Sequence, residues 1–415
     1  MILKANMTAE ELNSQKLDKS SLEDHFNVDN AYRITERLAF PRLIGSKGEK
    51  KAIDIIVDEF KSAGYYQIYQ DKFKTSFYNW LFIRFIFIAI GSALILLALS
   101  VYISPFLTLG LLIFDIYITF RALSYSVSNK IKLCKNEKFN FETENIYVDL
   151  KNKNSKVKVV FMGHWDSKSQ KFPSSTRITI FLISIFGGML LFLSYFIISI
   201  LKILINLNIP LLNNILLDLS ILIAIIGSFN YFNKTDNNSS GAFDNAGAVG
   251  VLIELARFYK KNPISNIDFI FLSPGSEELN LGGAIHFIQK YKKEFDKDST
   301  FFINLDLIGG SNLIRLTTSY GIPRKPSSLK LNRLFFESAI QNKIKIKDIY
   351  SPTGVWSDYM PIVQEGFEAC WLGSEPGIKK VHTKNDNMNL VSKQGLRNIL
   401  LLCIDVVNKL NDELK

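Results

Sequence analysis

Cysteine is nearly absent: Cys134, Cys370 and Cys403 are the whole complement of a 415-residue chain. Three thiols so far apart supply neither a disulfide framework nor a cysteine-based zinc site. Histidine occurs only four times, so any imidazole chemistry must be built from very few residues. There is no zinc-finger spacing and no aromatic run of the kind that stacks on RNA bases, which removes the usual nucleic-acid readings of a net charge of +10. A phosphate loop is missing too, because "GSKGEKK", Gly45 to Lys51, lacks the required spacing to Lys-Ser or Lys-Thr. The stretch "MILKANMTAEELNSQ" lacks the continuous apolar run and small-residue cleavage site of a secretory signal.

What the chain has in excess is apolar surface, with 47% hydrophobic residues and 32 Phe. The excess is concentrated in two blocks, Trp80 to Leu123 and Ile178 to Phe232. A membrane-spanning helix needs about twenty apolar residues. Phe85 to Ile103 meets that without a charge, and after the turn at Ser104-Pro105, Phe106 to Phe120 meets it once Ala122 and Leu123 are included. The second block gives Ile178 to Leu201, a connector with Asn206, Asn208, Pro210, Asn213 and Asn214, then Ile215 to Phe232. The expectation is two transmembrane hairpins, four spans in all, at 79–125 and 177–233. They interrupt one soluble domain made of 1–78, 126–176 and 234–415. Lys72, Arg84, Arg121, Lys130, Lys132, Lys135, Lys168, Arg177 and Lys234 flank the spans on the domain's side, against Lys202 alone in the far loops. The domain is therefore expected at the cytoplasmic face of the cell membrane, with the bilayer as a partner and no nucleic acid.

With the blocks removed, strand-like and helix-like segments alternate. "YYQIYQDKF" and "ENIYVDL" read as strands, and "VKVVFM", "IDFIFL", "FFINLD" and "FEACWL" as buried strands. Lys50 to Ala63 and Ala246 to Lys260 carry apolar residues at helical spacing. Such alternation predicts an α/β fold, a mostly parallel mixed sheet covered by helices on both faces, with the ligand site beyond the carboxyl ends of the strands.

Those ends carry a selective set: His164 and Asp166 in "VVFMGHWDS", Asp244 in "SSGAFDNAG", Glu277 and Glu278 in "FIFLSPGSEE", Asp306 in "FFINLD", and His382 in "KKVHTKND". Singly, each has a plain structural use as a helix cap, a turn or a solvated loop. Together, imidazoles and carboxylates are the ligands of zinc, and a two-metal site needs one carboxylate shared between ions about 3.5 to 4 Å apart.

In this order the segments resemble the di-zinc aminopeptidase family that includes bacterial leucyl aminopeptidases and glutamate carboxypeptidase II, with glutaminyl cyclases as relatives. "HWD", "DNAG", "EELNLGG", "NLD" and "HTKND" carry the likeness. The resemblance implies two co-catalytic Zn2+ ions, with Asp244 as the bridge, His164 and Asp306 completing one site, and Glu278 and His382 the other. It implies Glu277 as the general base acting on a metal-bridged water to hydrolyse N-terminal peptide bonds. Asp166, two residues past His164 on an extended chain, is expected to hold the other nitrogen of the His164 imidazole. Val381 stands where many relatives have an aromatic residue, which leaves Tyr359 as a candidate to stabilise the oxyanion. Two alternatives stay open: a glutaminyl cyclase-like zinc acyltransferase, whose relatives carry a phrase close to "HWDSK", and a non-catalytic receptor or scaffold on the same fold. The second hairpin leaves the sheet about a dozen residues after His164, a tether of at most about 40 Å. The catalytic mouth is therefore expected near the bilayer, and the substrate is expected to be a peptide or protein N-terminus, either presented at the membrane surface or belonging to an ordinary cytosolic peptide.

Overall fold

The computed structural model describes residues 26–414, apart from 77, 124–139, 311, 312, 322, 352–356 and 377–379. Cys134, Lys130, Lys132, Lys135 and the amino-terminal stretch read above lie outside the described residues. Two helices come first, α1 (Val28–Leu38) and α2 (Lys47–Ser62), followed by β1 (Tyr69–Ser76). The first apolar block forms α3 (Tyr78–Ile103) and α4 (Pro105–Leu123), after which come β2 (Asn140–Leu150), β3 (Val157–Met162) and the short β4 (Ser169–Gln170). The second block forms α5 (Ser174–Ile205) and α6 (Pro210–Ser228), and β5 (Thr235–Asp236) follows. The remainder alternates through α7 (Gly247–Lys261), β6 (Ile267–Ser273), α8 (Gly282–Tyr291), β7 (Thr300–Leu305), β8 (Ile314–Tyr320), β9 (Lys325–Pro326), α9 (Leu329–Gln341), β10 (Ile346–Ser351), α10 (Tyr359–Gln364), β11 (Glu368–Ser374) and α11 (Lys393–Asp412).

The main sheet runs in the order β1-β2-β6-β3-β7-β11-β8-β10, with β9 on β8. Its central run, β6-β3-β7-β11, is parallel throughout, and antiparallel pairs occur toward both edges. Parallel strands buried on both faces need continuous apolar sequence. Val159, Val160, Phe161 and Met162 of β3 and Phe269, Phe271 and Leu272 of β6 meet that need and are fully buried. Helices α1, α7 and α11 pack against one another, and α7 against β6, each through an apolar stripe at helical spacing. The order places the ends of β6, β3 and β7 side by side, so three of the loops singled out by sequence must converge.

The two apolar blocks are helical hairpins in contact with each other, and their interior is a second apolar cluster that includes Leu94, Leu97, Tyr195, Ile198 and Leu216. Their outward faces expose Phe106, Ile113, Phe186, Leu190 and Phe196, a composition suited to lipid rather than water. Arg84–Ile103, Ser174–Ile205 and Pro210–Phe232 are long and apolar enough to cross a membrane, and α4 (Pro105–Leu123) is a further apolar helix beside them. The connector of the second hairpin is shorter than the sequence suggested. Asn206 closes α5 in a left-handed conformation, with φ 51°, and Pro210 already occupies the first turn of α6, where its missing N–H costs nothing. Asn213, expected in the loop, is a buried helical residue. Inside the bundle the Tyr195 hydroxyl lies 3.0 Å from the Leu216 carbonyl and 2.6 Å from Ser220 Oγ. Arg84 ties the bases of the two hairpins together by donating to the Tyr231 carbonyl at 2.7 Å.

Candidate metal centre

His164 lies two residues beyond β3, Asp306 directly after β7, and Glu277 and Glu278 in the loop after β6. Asp244 sits on an irregular turn that leads into α7, and His382 lies beyond the end of β11. The structure brings these residues into two groups that share one carboxylate. His164 Nε2 is 3.2 Å from Asp244 Oδ1, 3.6 Å from Asp306 Oδ1 and 3.8 Å from Glu277 Oε2. His382 Nε2 is 3.2 Å from Asp244 Oδ2 and 3.1 Å from Glu278 Oε2. Asp244 thus presents one oxygen to each imidazole. In each trio, His164–Asp244–Asp306 and Asp244–Glu278–His382, one ligand atom per residue lies within 4.8 Å of the others.

The donors fit a metal better than they fit one another. Among the described residues His164 Nε2 and Asp306 Oδ1 are buried without a hydrogen-bond partner, a costly state unless a cation receives them. One imidazole and two carboxylates per cluster is a zinc-type donor set.

Neighbouring groups fix the direction of each donor. Asp306 Oδ2 accepts from Ser357 Oγ at 2.7 Å and from Trp371 Nε1 at 3.0 Å, which leaves Oδ1 for the cluster. His164 Nδ1 donates to the Asp166 carbonyl at 3.1 Å. The Asp166 carboxylate, expected to hold that nitrogen, is farther away, with Oδ1 at 3.6 Å. Its oxygens instead accept from the backbone N–H groups of Glu277 and Glu278 at 3.1 and 3.2 Å. Carboxylate–amide bonds of this kind are strong, so Asp166 fixes the loop that carries both glutamates. Asp386, the last residue of "HTKND", accepts from the Phe243 and Asp244 amides at 2.7 and 3.2 Å and so holds the bridging turn. Gly247 lets that turn approach the segment after β7, since a Cβ there would lie 2.1 Å from the Ile308 carbonyl oxygen. Arg42, fully buried, donates to the Leu38, Ser240 and Gly241 carbonyls at 2.6 to 2.8 Å and also to that of Trp165.

The electrostatics of the two groups differ. Burial pushes Glu277 well above the usual carboxylate range, opposed by His164 and reinforced by Glu278, Asp358 and Asp306. Burial likewise raises Asp358 to about 8 and Asp386 to about 7. Glu278 goes the other way, to about 2: burial opposes the shift, but His382 and the Lys168 ammonium outweigh it. Lys168 Nζ lies 2.6 Å from Glu278 Oε2.

Lys168, Ser357, Asp358, Trp371, Asp386 and Arg42 were not identified from sequence. Lys168 and Asp386 stand inside quoted motifs and were within reach; the others depend on tertiary placement. Tyr359, expected near the oxyanion, packs its ring against Tyr320 with its hydroxyl beside Ser351 and Thr317. Its segment reaches the centre through Ser357 instead.

Residues 226–407 match the sequence model of Peptidase family M28, whose members are zinc-dependent. Aminopeptidase YwaD of Bacillus subtilis (strain 168) is 28% identical over 172 residues, which is 38% of this chain. The match spans 35% of that relative's length. Among solved structures, a glutaminyl cyclase from an Acidobacteriales bacterium superposes with a TM-score of 0.55 at 14% identity, over 94% of this chain and 96% of the other. An aminopeptidase from Aneurinibacillus sp. strain AM-1 superposes with a TM-score of 0.51 at 15% identity, over 92% and 94%. The α/β fold is the one these two structures share.

Proposed function

We propose that the chain, whose residues 226–407 match the model of Peptidase family M28, is a membrane-anchored zinc aminopeptidase that removes N-terminal residues from peptides or proteins. The observation that carries the reading is the position of Asp244, one oxygen toward each of two imidazoles, with Glu277 beside the first. His164, Asp244 and Asp306 would hold one Zn2+ and Asp244, Glu278 and His382 a second. Bound zinc would supply Lewis acidity toward the scissile carbonyl and lower the pKa of the attacking water.

The chain's own part is to place and move a proton. Glu277, held in a buried and anionic setting, has a raised proton affinity, which suits a group that takes a proton from the attacking water and returns it to the leaving amine. Asp166 keeps Glu277 and Glu278 in register through their amides. The hairpins would hold this site at the cytoplasmic face of the membrane, where peptide or protein N-termini at the bilayer surface would be its substrates.

A second reading is kept for one observation. The Lys168–Glu278 ion pair places a cation beside the second cluster, as would suit a single-ion site, and a glutaminyl cyclase is among the structural neighbours. The test is metal content of the purified protein together with turnover on aminoacyl chromogenic substrates and on an N-terminal glutaminyl peptide. Two zinc ions per chain with aminopeptidase turnover support the proposal. One ion with cyclisation and no hydrolysis replaces it with the cyclase reading.

A further inference from the structure

The two imidazoles of the centre are oriented from different places. His164 Nδ1 is held by a carbonyl two residues along its own strand end. His382 Nδ1 lies 3.3 Å from the Oγ of Ser174, and Ser174 is the first residue of α5, the helix of 32 residues that is long and apolar enough to cross a membrane. Ser174 is 2% exposed and Gln170 6%. Gln170 Nε2 lies 3.2 Å from the same Oγ, and the Gln170 N–H donates to the His382 carbonyl at 3.0 Å. Arg177, one turn into α5, reaches Gln170 Oε1 at 3.3 Å.

Both legs of the second hairpin meet at this point. β4 pairs with β5 through Ser169–Asp236 and Gln170–Thr235. The Lys171 N–H donates to the Lys234 carbonyl at 3.0 Å, and the Phe172 N–H to Asn233 Oδ1 at 2.9 Å. The small ribbon that closes the base of the hairpin thus grips the His382 backbone through Gln170, and Ser174, where α5 begins, meets its ring.

The direction of the Ser174 contact follows from the other side of the ring. His382 Nε2 faces Asp244 and Glu278; to ligate a metal it must present its lone pair, so the ring proton resides on Nδ1. Ser174 Oγ must then accept from Nδ1–H, and its two lone pairs suffice for this bond and the one from Gln170 Nε2. We infer that Ser174 is a positioning residue: the first side chain of a membrane helix sets the tautomer and ring angle of His382. The second cluster, unlike the first, is therefore completed by the seated hairpin. This rests on the two-ion reading above, and it adds that one of the two ions reports on the membrane segment.

The test is Zn2+ titration by calorimetry of the full chain in lipid nanodiscs, for wild type, S174A, S174T and S174V. Thr and Val have the same shape, so the pair separates the acceptor oxygen from packing. The inference expects S174A and S174V to weaken one of two binding constants by about 10- to 100-fold, the usual effect of losing a hydrogen-bond partner of a metal-bound histidine. The other constant stays within about threefold, and S174T keeps both near wild type. Equal behaviour of Thr and Val, or a parallel loss at both sites, overturns it. A wild-type chain that binds a single ion removes the two-ion reading separately. The inference then survives only if S174V, and not S174T, weakens that ion.

Discussion

His164 and His382 occupy matching positions on the two oxygens of Asp244, yet they belong to differently built halves of the centre. The His164 half is made from the sheet itself: the end of β3 supplies the imidazole and its orienting carbonyl, and the end of β7 supplies Asp306, braced by Ser357 and Trp371. The His382 half borrows from the second apolar hairpin, since Ser174 opens α5 and Lys168 and Gln170 lead into it. Their surroundings differ in sign as well. Glu277 approaches His164, whereas the Lys168 ammonium pairs with Glu278. A dication is therefore expected to bind the first half more tightly, because fixed charge in a buried site is weakly screened. The difference teaches that a shared carboxylate does not make two sites equivalent.

The largest effect should come from the residue the halves share. Asp244→Asn is expected to lower the affinity of both ions by more than about 100-fold and to abolish turnover, read as metal content after dialysis and as kcat/KM. Loss of only one ion would mean that Asp244 is not common to both. Next, Glu277→Gln removes the proton acceptor without removing a ligand. It should cut kcat by about 10²- to 10⁴-fold with both ions retained; a variant that also loses metal would reassign Glu277 as a ligand.

The contrast between the halves also marks what was legible in the sequence. His164, Asp244, Glu277, Glu278, Asp306 and His382 could be read because imidazoles and carboxylates at the ends of apolar strands form an ordered series of motifs. The central strands were legible for the same reason, as continuous apolar runs. Strands Ile314–Tyr320 and Ile346–Ser351, with their alternating polar residues, carry no such run and went unread. Ser174 gave no signal at all: a serine before an apolar helix reads as a helix start, and its contact with His382 spans 208 positions. Asp166 lies 3.6 Å from His164 Nδ1, but its bonds to the Glu277 and Glu278 amides were not legible, because alternation along a strand predicts the side on which a group lies and not the loop that folds over it. The fourth expected span, Phe106 to Leu123, falls within a single helix, Pro105–Leu123.

A smaller effect sharpens the charge difference. Lys168→Met should strengthen the weaker zinc constant by about tenfold and leave the tighter one unchanged, narrowing the gap seen in calorimetry, because it removes a buried cation beside only one ion. A weakened second constant would instead make Lys168 a brace for Glu278 rather than a competitor of the metal.

The smallest concerns the metal-free protein. Burial raises Asp358 from 3.8 to about 8, so the folded chain keeps a proton that the unfolded chain releases near pH 4. Stability linked to this group is then full below about pH 4 and declines as pH rises toward about 8. Asp358→Asn should raise the melting temperature of the metal-free protein by a few °C at pH 8 and leave it unchanged at pH 4. An equal shift at both values would trace the gain to packing rather than charge.

The account stands most directly on the claim that Asp244 joins two metal ions, and anomalous scattering from crystals of the zinc-loaded protein, recorded on either side of the zinc edge, tests it. Two peaks about 3.5 to 4 Å apart are expected, one beside His164 and Asp306 and the other beside Glu278 and His382, with the Asp244 carboxylate between them. A single peak, or two that do not flank Asp244, would contradict it.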